Sequence, residues 1–163
     1  MKDFGVGHDR SERITMEVYL ARCGLTAEHM SPRVRQLFPL DALLQQYLYD
    51  YRKVRPVGMS GGERKIVLKL RALGVDSEYE RPIVLQSCAG RRNLFVSHPD
   101  FWVPSQATCI EYLGMEGHAA CDRAYAAKLA SLCYNGVPVV PVQRRHIRED
   151  GLLEEVLRQH LLR

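Results

Sequence analysis

The chain has 163 residues, a formal net charge of +4 and 46% apolar residues, which suits one globular domain or one domain with a helical extension. No apolar run approaches the roughly 18 residues of a membrane span, and the charged start MKDFGVGHDRSER lacks the apolar stretch of a secretory signal, so a cytoplasmic protein is expected. The five cysteines (23, 88, 109, 121 and 133) include no CxxC pair, which argues against a disulfide framework and a closed zinc site. His118 and Cys121 stand three apart without a second pair, and Cys121 reads as a small core residue.

Residues 11–51 read as helices, within an N-terminal helical region spanning 1–57. Ser11 and Glu12 open the first, which carries Ile14, Val18 and Leu20 and stops at Gly24. Ser31-Pro32 starts a short second, with proline at the first helical position. Asp41 caps a third from Ala42 to about Tyr51, with Leu44, Tyr47, Leu48 and Tyr51 at helical spacing. The run RPVGMSGG (55–62) is a breaker-rich linker, and a mixed α and β domain follows over 58–163.

In that domain Ser60-x-x-Glu63 has the form of a capping box. Ile66, Val67, Leu70 and Leu73 continue the helix until Gly74. Strands are expected at Glu78 to Leu85, Leu94 to Val103 and Ala107 to Tyr112. Asp122 opens a helix to about Tyr134, closed by Asn135-Gly136. The segment VPVVPV (137–142) is a short buried strand whose prolines suit an edge, and a last helix runs from Gly151 to about His160. The order α-β-β-β-α-β, then α, packs naturally as a small mixed sheet flanked by helices.

The segment HPDFWVPSQATCIEYLGMEGH (98–118) carries the chemistry. Asp100 leads into one strand and Glu111 ends the next, so antiparallel neighbours bring two carboxylates together. Such a pair repels itself unless a cation lies between, and magnesium needs only one or two carboxylates plus water and phosphate oxygens. Basic residues cluster at Arg52-Lys53-Arg55, Arg64-Lys65-Lys69-Arg71, Arg91-Arg92 and Arg144-Arg145-His146-Arg148, a pattern that suits a polyanion and equally a solvated face. MSGGER looks like the signature of ATP-binding cassette proteins. No GxxxxGK[ST] loop exists to support nucleotide binding, and the glycines read as linker.

A Pro-Asp-aromatic strand, a turn, then an apolar strand ending in Glu resembles the PD-(D/E)xK nuclease superfamily, most closely the very-short-patch repair and phage homing endonuclease branch. The resemblance runs from about 60 to 142 and implies a restriction-endonuclease-like αβββαβ core and a magnesium-dependent DNA endonuclease in which manganese substitutes. It implies that Asp100 and Glu111 hold the metal with the backbone carbonyl of Tyr112, and that Glu63 supports the metal or a water. Arg91 and Arg92 would track the DNA backbone, and a homodimer would suit a double-strand cut.

The motif's usual lysine position is Leu113. Two replacements are open: Lys128, in the stripe Cys121, Tyr125, Lys128 and Leu132 on one helix face, or His118 as base with Asp122 behind it. The missing lysine also leaves room for a catalytically degenerate DNA-binding or scaffold subunit. A third reading, with the helical half docking a partner, rests only on Tyr47, Tyr49 and Tyr51, which suit helix packing equally well.

Overall fold

Residues 11–47, 58–88 and 94–162 are described by the structure, a computed structural model. The second half of the chain forms a mixed four-stranded sheet flanked by helices. Its order is β3 (Glu78–Tyr79), β6 (Phe101–Val103), β7 (Thr108–Leu113), β8 (Val139–Gln143). The first three are antiparallel neighbours, whereas β8 runs parallel to β7 on the edge. A parallel pair needs a long crossover. Helix α4 (Ala119–Tyr134) supplies it.

Side chains alternate across a strand. On one face Phe101, Val103, Ile110, Val140 and Val142 meet Ile66 and Leu70 of α3 (Gly61–Ala72) and Leu153, Leu157 and Leu161 of α6 (Leu152–Leu161). On the other face Cys109 and Trp102 meet Leu132 of α4, together with Ile83 and Leu85. Those last two belong to a hairpin of β4 (Ile83–Gln86) and β5 (Leu94–Ser97).

The capping box at α3 forms as expected, with the Ser60 hydroxyl accepting from Glu63 N and the Glu63 carboxylate accepting from Ser60 N. Gly61 and Gly62, expected in the linker, lie instead in the first turn of α3. Any Cβ on Gly62 would collide with the Tyr112 ring, so glycine is what lets the helix reach β7.

The expected strand Glu78 to Leu85 is two strands in different sheets, parted where Glu80 takes a positive φ of 49° ahead of Pro82. The expected strand Leu94 to Val103 also splits, at His98-Pro99-Asp100, because a proline has no N–H for a ladder. Helix α4 starts at Ala119 rather than Asp122, and a short helix α5 (Arg144–Arg148) follows β8 without an expected counterpart.

The N-terminal region departs most. Residues Ser11–Thr15 form a strand, β1, rather than a helix start, and helix α1 covers only Met16–Arg22. The expected third helix is instead a strand, β2 (Leu43–Tyr47), paired antiparallel with β1 so that Ile14 faces Leu44. Its expected remainder, including Tyr49 and Tyr51, lies outside the described residues. Helix α2 (Pro32–Leu37) forms as expected, capped by the Ser31 hydroxyl. Leu44, Met16, Leu20 and Val34 bury against Val84 and Leu94, so the β4–β5 hairpin joins this region to the sheet. Buried Asn135 ties the same junction, accepting from Ser31 Oγ and from Gln86 N. Among the described residues no helix is long and apolar enough to cross a membrane.

Candidate metal and active site

The pairing of Phe101 with Ile110 sets the geometry. The ladder ends at that pair; continued by one and by two residues, its register would bring Asp100 beside Glu111 and Pro99 beside Tyr112. In an antiparallel ladder every second facing pair exchanges both N–H and C=O bonds; Cys109 N bonds across to Pro138 O on the β8 side, which turns the peptide groups of Ile110 and Tyr112 towards β6. Pro99 has no N–H to give, so the ladder offers no donor to the Tyr112 carbonyl. The Tyr112 N–H instead donates to Asp100 Oδ2 at 2.6 Å. Asp100 and the Tyr112 peptide edge therefore face each other across the gap that ends β6.

Glu111 is 2% exposed on the α4 side of β7. Lys128 reaches it from α4, with Nζ 2.8 Å from Glu111 Oε2 and 2.9 Å from the His98 carbonyl oxygen, to which it donates. Of the two candidates for the missing lysine, Lys128 is the one at the carboxylates. His118 is exposed at the N-terminus of α4, where its side chain makes no capping bond. Asp122, which was to stand behind it, is exposed one turn further on.

Burial pushes the Glu111 carboxyl from its ordinary 4.5 up to about 7, against the lowering pull of Lys128 and with the Asp100 charge adding to the rise. Asp100 is also raised by burial, with the Tyr112 N–H and Lys128 pulling the other way. Taking a carboxylate out of water costs several kcal/mol, which one partly solvated lysine does not fully return.

Glu63 joins the rim, and its charge acts on Asp100. Its Oε2 already accepts from Ser60 N at 2.6 Å and from the Tyr79 hydroxyl at 3.4 Å. Capping and a place at the rim thus coexist in one side chain. Tyr79 is raised to about 12 by burial first and then by Glu63, Glu80 and Asp100.

Three buried side-chain polar atoms lack a hydrogen-bond partner among the described residues: Trp102 Nε1, Glu111 Oε1 and the Tyr125 hydroxyl. Glu111 belongs to the carboxylate pair, and Tyr125 stands three residues before Lys128 on α4. Tyr125 was legible only as a member of the helical stripe, with nothing to mark it for chemistry. The stripe itself is inward at Tyr125, Lys128 and Leu132, while Cys121, expected in the core, is exposed.

The chain matches no family model, no curated protein and no solved structure. Among the described residues no group of three or more His, Cys, Asp and Glu is gathered as a metal cage. Two carboxylates and one carbonyl are nevertheless a donor set suited to magnesium, which keeps several waters. Arg91 and Arg92 lie outside the described residues, as do Arg52, Lys53 and Arg55. Arg144, Arg145 and Arg148 are exposed on α5, directly after β8. Since Gln143 pairs with Leu113, these arginines follow the same end of the sheet as Glu111 and Tyr112.

Proposed function

We propose that the chain is a magnesium-dependent endonuclease that hydrolyses DNA phosphodiester bonds, built on a restriction-endonuclease-like core of the PD-(D/E)xK kind. The observation that carries this reading is the buried, unpartnered Glu111 Oε1, on the strand whose Tyr112 N–H donates to Asp100 Oδ2. An acceptor left bare in a buried site costs about 1–3 kcal/mol, and a cation relieves it. Asp100, Glu111 and the Tyr112 carbonyl would hold the ion.

Bound there, magnesium would neutralise charge on the phosphate and orient a water beside it. Lys128 supplies a fixed cationic donor next to Glu111, able to stabilise charge that grows during attack. In the reaction the water oxygen bonds to phosphorus and the bond to the leaving sugar oxygen breaks. One water proton passes to solvent and the leaving oxygen gains one. The exposed arginines of α5 suit a phosphate backbone, each contact releasing counterions.

One observation favours a second reading, a DNA-binding or scaffold subunit with a degenerate site. The Lys128–Glu111 pair already neutralises one carboxylate without any metal. A gel shift run beside plasmid cleavage separates the two. Magnesium-dependent product from the wild type, abolished in Asp100→Asn with DNA binding retained, is the expected result. Tight binding with no product in magnesium or manganese would instead select the scaffold.

A further inference from the structure

Tyr125 lies nearly one helical turn before Lys128, on the face of α4 that meets the sheet. Its hydroxyl oxygen is buried and has no partner among the described residues. A phenol hydroxyl is both a donor and an acceptor, and buried hydroxyls are nearly always bonded to protein or to ordered water. Glu111 is the carboxylate that acts on it most strongly, ahead of Asp100 and Glu116. Burial and these three charges keep the phenol protonated. Glu111 Oε1 is itself buried and bare. Lys128, three residues on along the same inward face of α4, has its Nζ 2.8 Å from Glu111 Oε2, so the helix carries the unpaired phenol to the side of the sheet where Glu111 Oε1 is bare. A single water oxygen between them would satisfy both, since a buried water needs two to four polar partners.

We propose that Tyr125 is the positioning residue for the attacking water, its hydroxyl donating a hydrogen bond to a water oxygen held beside Glu111 Oε1. The assignment rests on the phosphodiesterase reading above. Tyr125 keeps its own proton throughout and takes none from the water. Its task is to fix where the water oxygen sits, and displacement of a reacting atom by about 1 Å costs on the order of 10²-fold in rate.

The test uses the full chain and Tyr125→Phe, which removes the hydroxyl and keeps the ring. In crystals of the metal-free wild type a water should lie within hydrogen-bond reach of both Tyr125 Oη and Glu111 Oε1, and the variant should lack it. The kcat for plasmid cleavage should fall about 10–100-fold with KM unchanged. The melting temperature should fall by no more than the loss of one buried water implies. A hydroxyl bonded to a protein group or a wild-type kcat overturns the assignment. If the wild type cleaves nothing, the phosphodiesterase reading fails on its own. The crystallographic water then decides Tyr125 separately, upholding the water site if present and overturning it if absent.

Discussion

On the face of the sheet covered by α3 and α6, Phe101, Val103, Ile110, Val140 and Val142 pack against Ile66, Leu70 and Leu157. On the face covered by α4, the same strands present Cys109 and Glu111, and the helix answers with Leu132 at one end and with Lys128 and Tyr125 nearer the other. The first face gains stability from apolar area removed from water. The second buries a carboxylate whose ionisation burial opposes, and leaves three polar atoms bare among the described residues, Trp102 Nε1, Glu111 Oε1 and the Tyr125 hydroxyl. Strand alternation lets one sheet do both, because neighbouring residues of β7 serve opposite sides. Stability and the proposed chemistry are thus separated by a single residue step.

That separation breaks cleanly under two substitutions. Asp100→Asn keeps an acceptor for the Tyr112 N–H and removes a charge that burial disfavours. Cleavage should drop about 10³-fold, the loss of several kcal/mol of charge stabilisation, while the melting temperature holds or rises. Leu157→Ala, at a fully buried position of the opposite face, should do the reverse. It should cost about 2–5 kcal/mol of stability by denaturant unfolding, with the cleavage rate of the folded fraction retained. An Asp100→Asn protein that unfolds as readily as Leu157→Ala would dissolve the distinction.

Much of the second half was legible in the sequence because its signals are local. Ser60 and Glu63 cap a helix by chemistry that needs nothing distant, and Gly74 follows its end, whereas the equally local break at Pro99 was overrun by the single strand expected from Leu94 to Val103. Asp100 and Glu111 could be matched because one short turn joins their strands, while Lys128 is brought to Glu111 by the crossover helix. In the N-terminal region β1 pairs with β2 across about thirty intervening residues. There the i, i+4 pattern of Ile14 and Val18 imitates a helix, although Val18 is 42% exposed. Leu44 is buried beside exposed Leu43, a strand alternation too short to outweigh the helical spacing. The bare Tyr125 hydroxyl was illegible for another reason: an unmet hydrogen bond is a property of packing.

Protons and metal should compete for the α4 face and leave the other face untouched. In the folded protein Glu111 titrates at about 7 instead of its ordinary 4.5. Between those values the folded state holds a proton that the unfolded chain releases, so metal-free stability should fall as pH rises through that window and level off above it. Magnesium takes the carboxylate only once it is ionised, so the melting shift on adding the ion should grow from pH 6 to pH 8. Differential scanning fluorimetry with and without magnesium reads both trends. A metal shift that ignores pH would remove Glu111 from the ligand set, and Glu111→Gln should flatten both curves.

The smallest expected effect tests the one residue that belongs to both regions. Glu63 closes the capping box of α3, whose inner face packs the apolar side, yet its charge also reaches Asp100. Glutamine serves the box as well as glutamate, so Glu63→Gln should change stability by less than about 0.5 kcal/mol. It removes the negative charge that raises Asp100 and leaves the Ser60 bond in place. If Glu63 only caps, cleavage and its metal requirement stay at wild-type values. If it also serves the site, the magnesium concentration giving half-maximal cleavage should rise several-fold while the melting curve stays unmoved. Ser60→Ala is the complement: it breaks the cap, costs about 1 kcal/mol and leaves the carboxylate charge in place. A metal requirement that moves with Ser60→Ala and not with Glu63→Gln would make the helix terminus, rather than the charge, the link between the two faces.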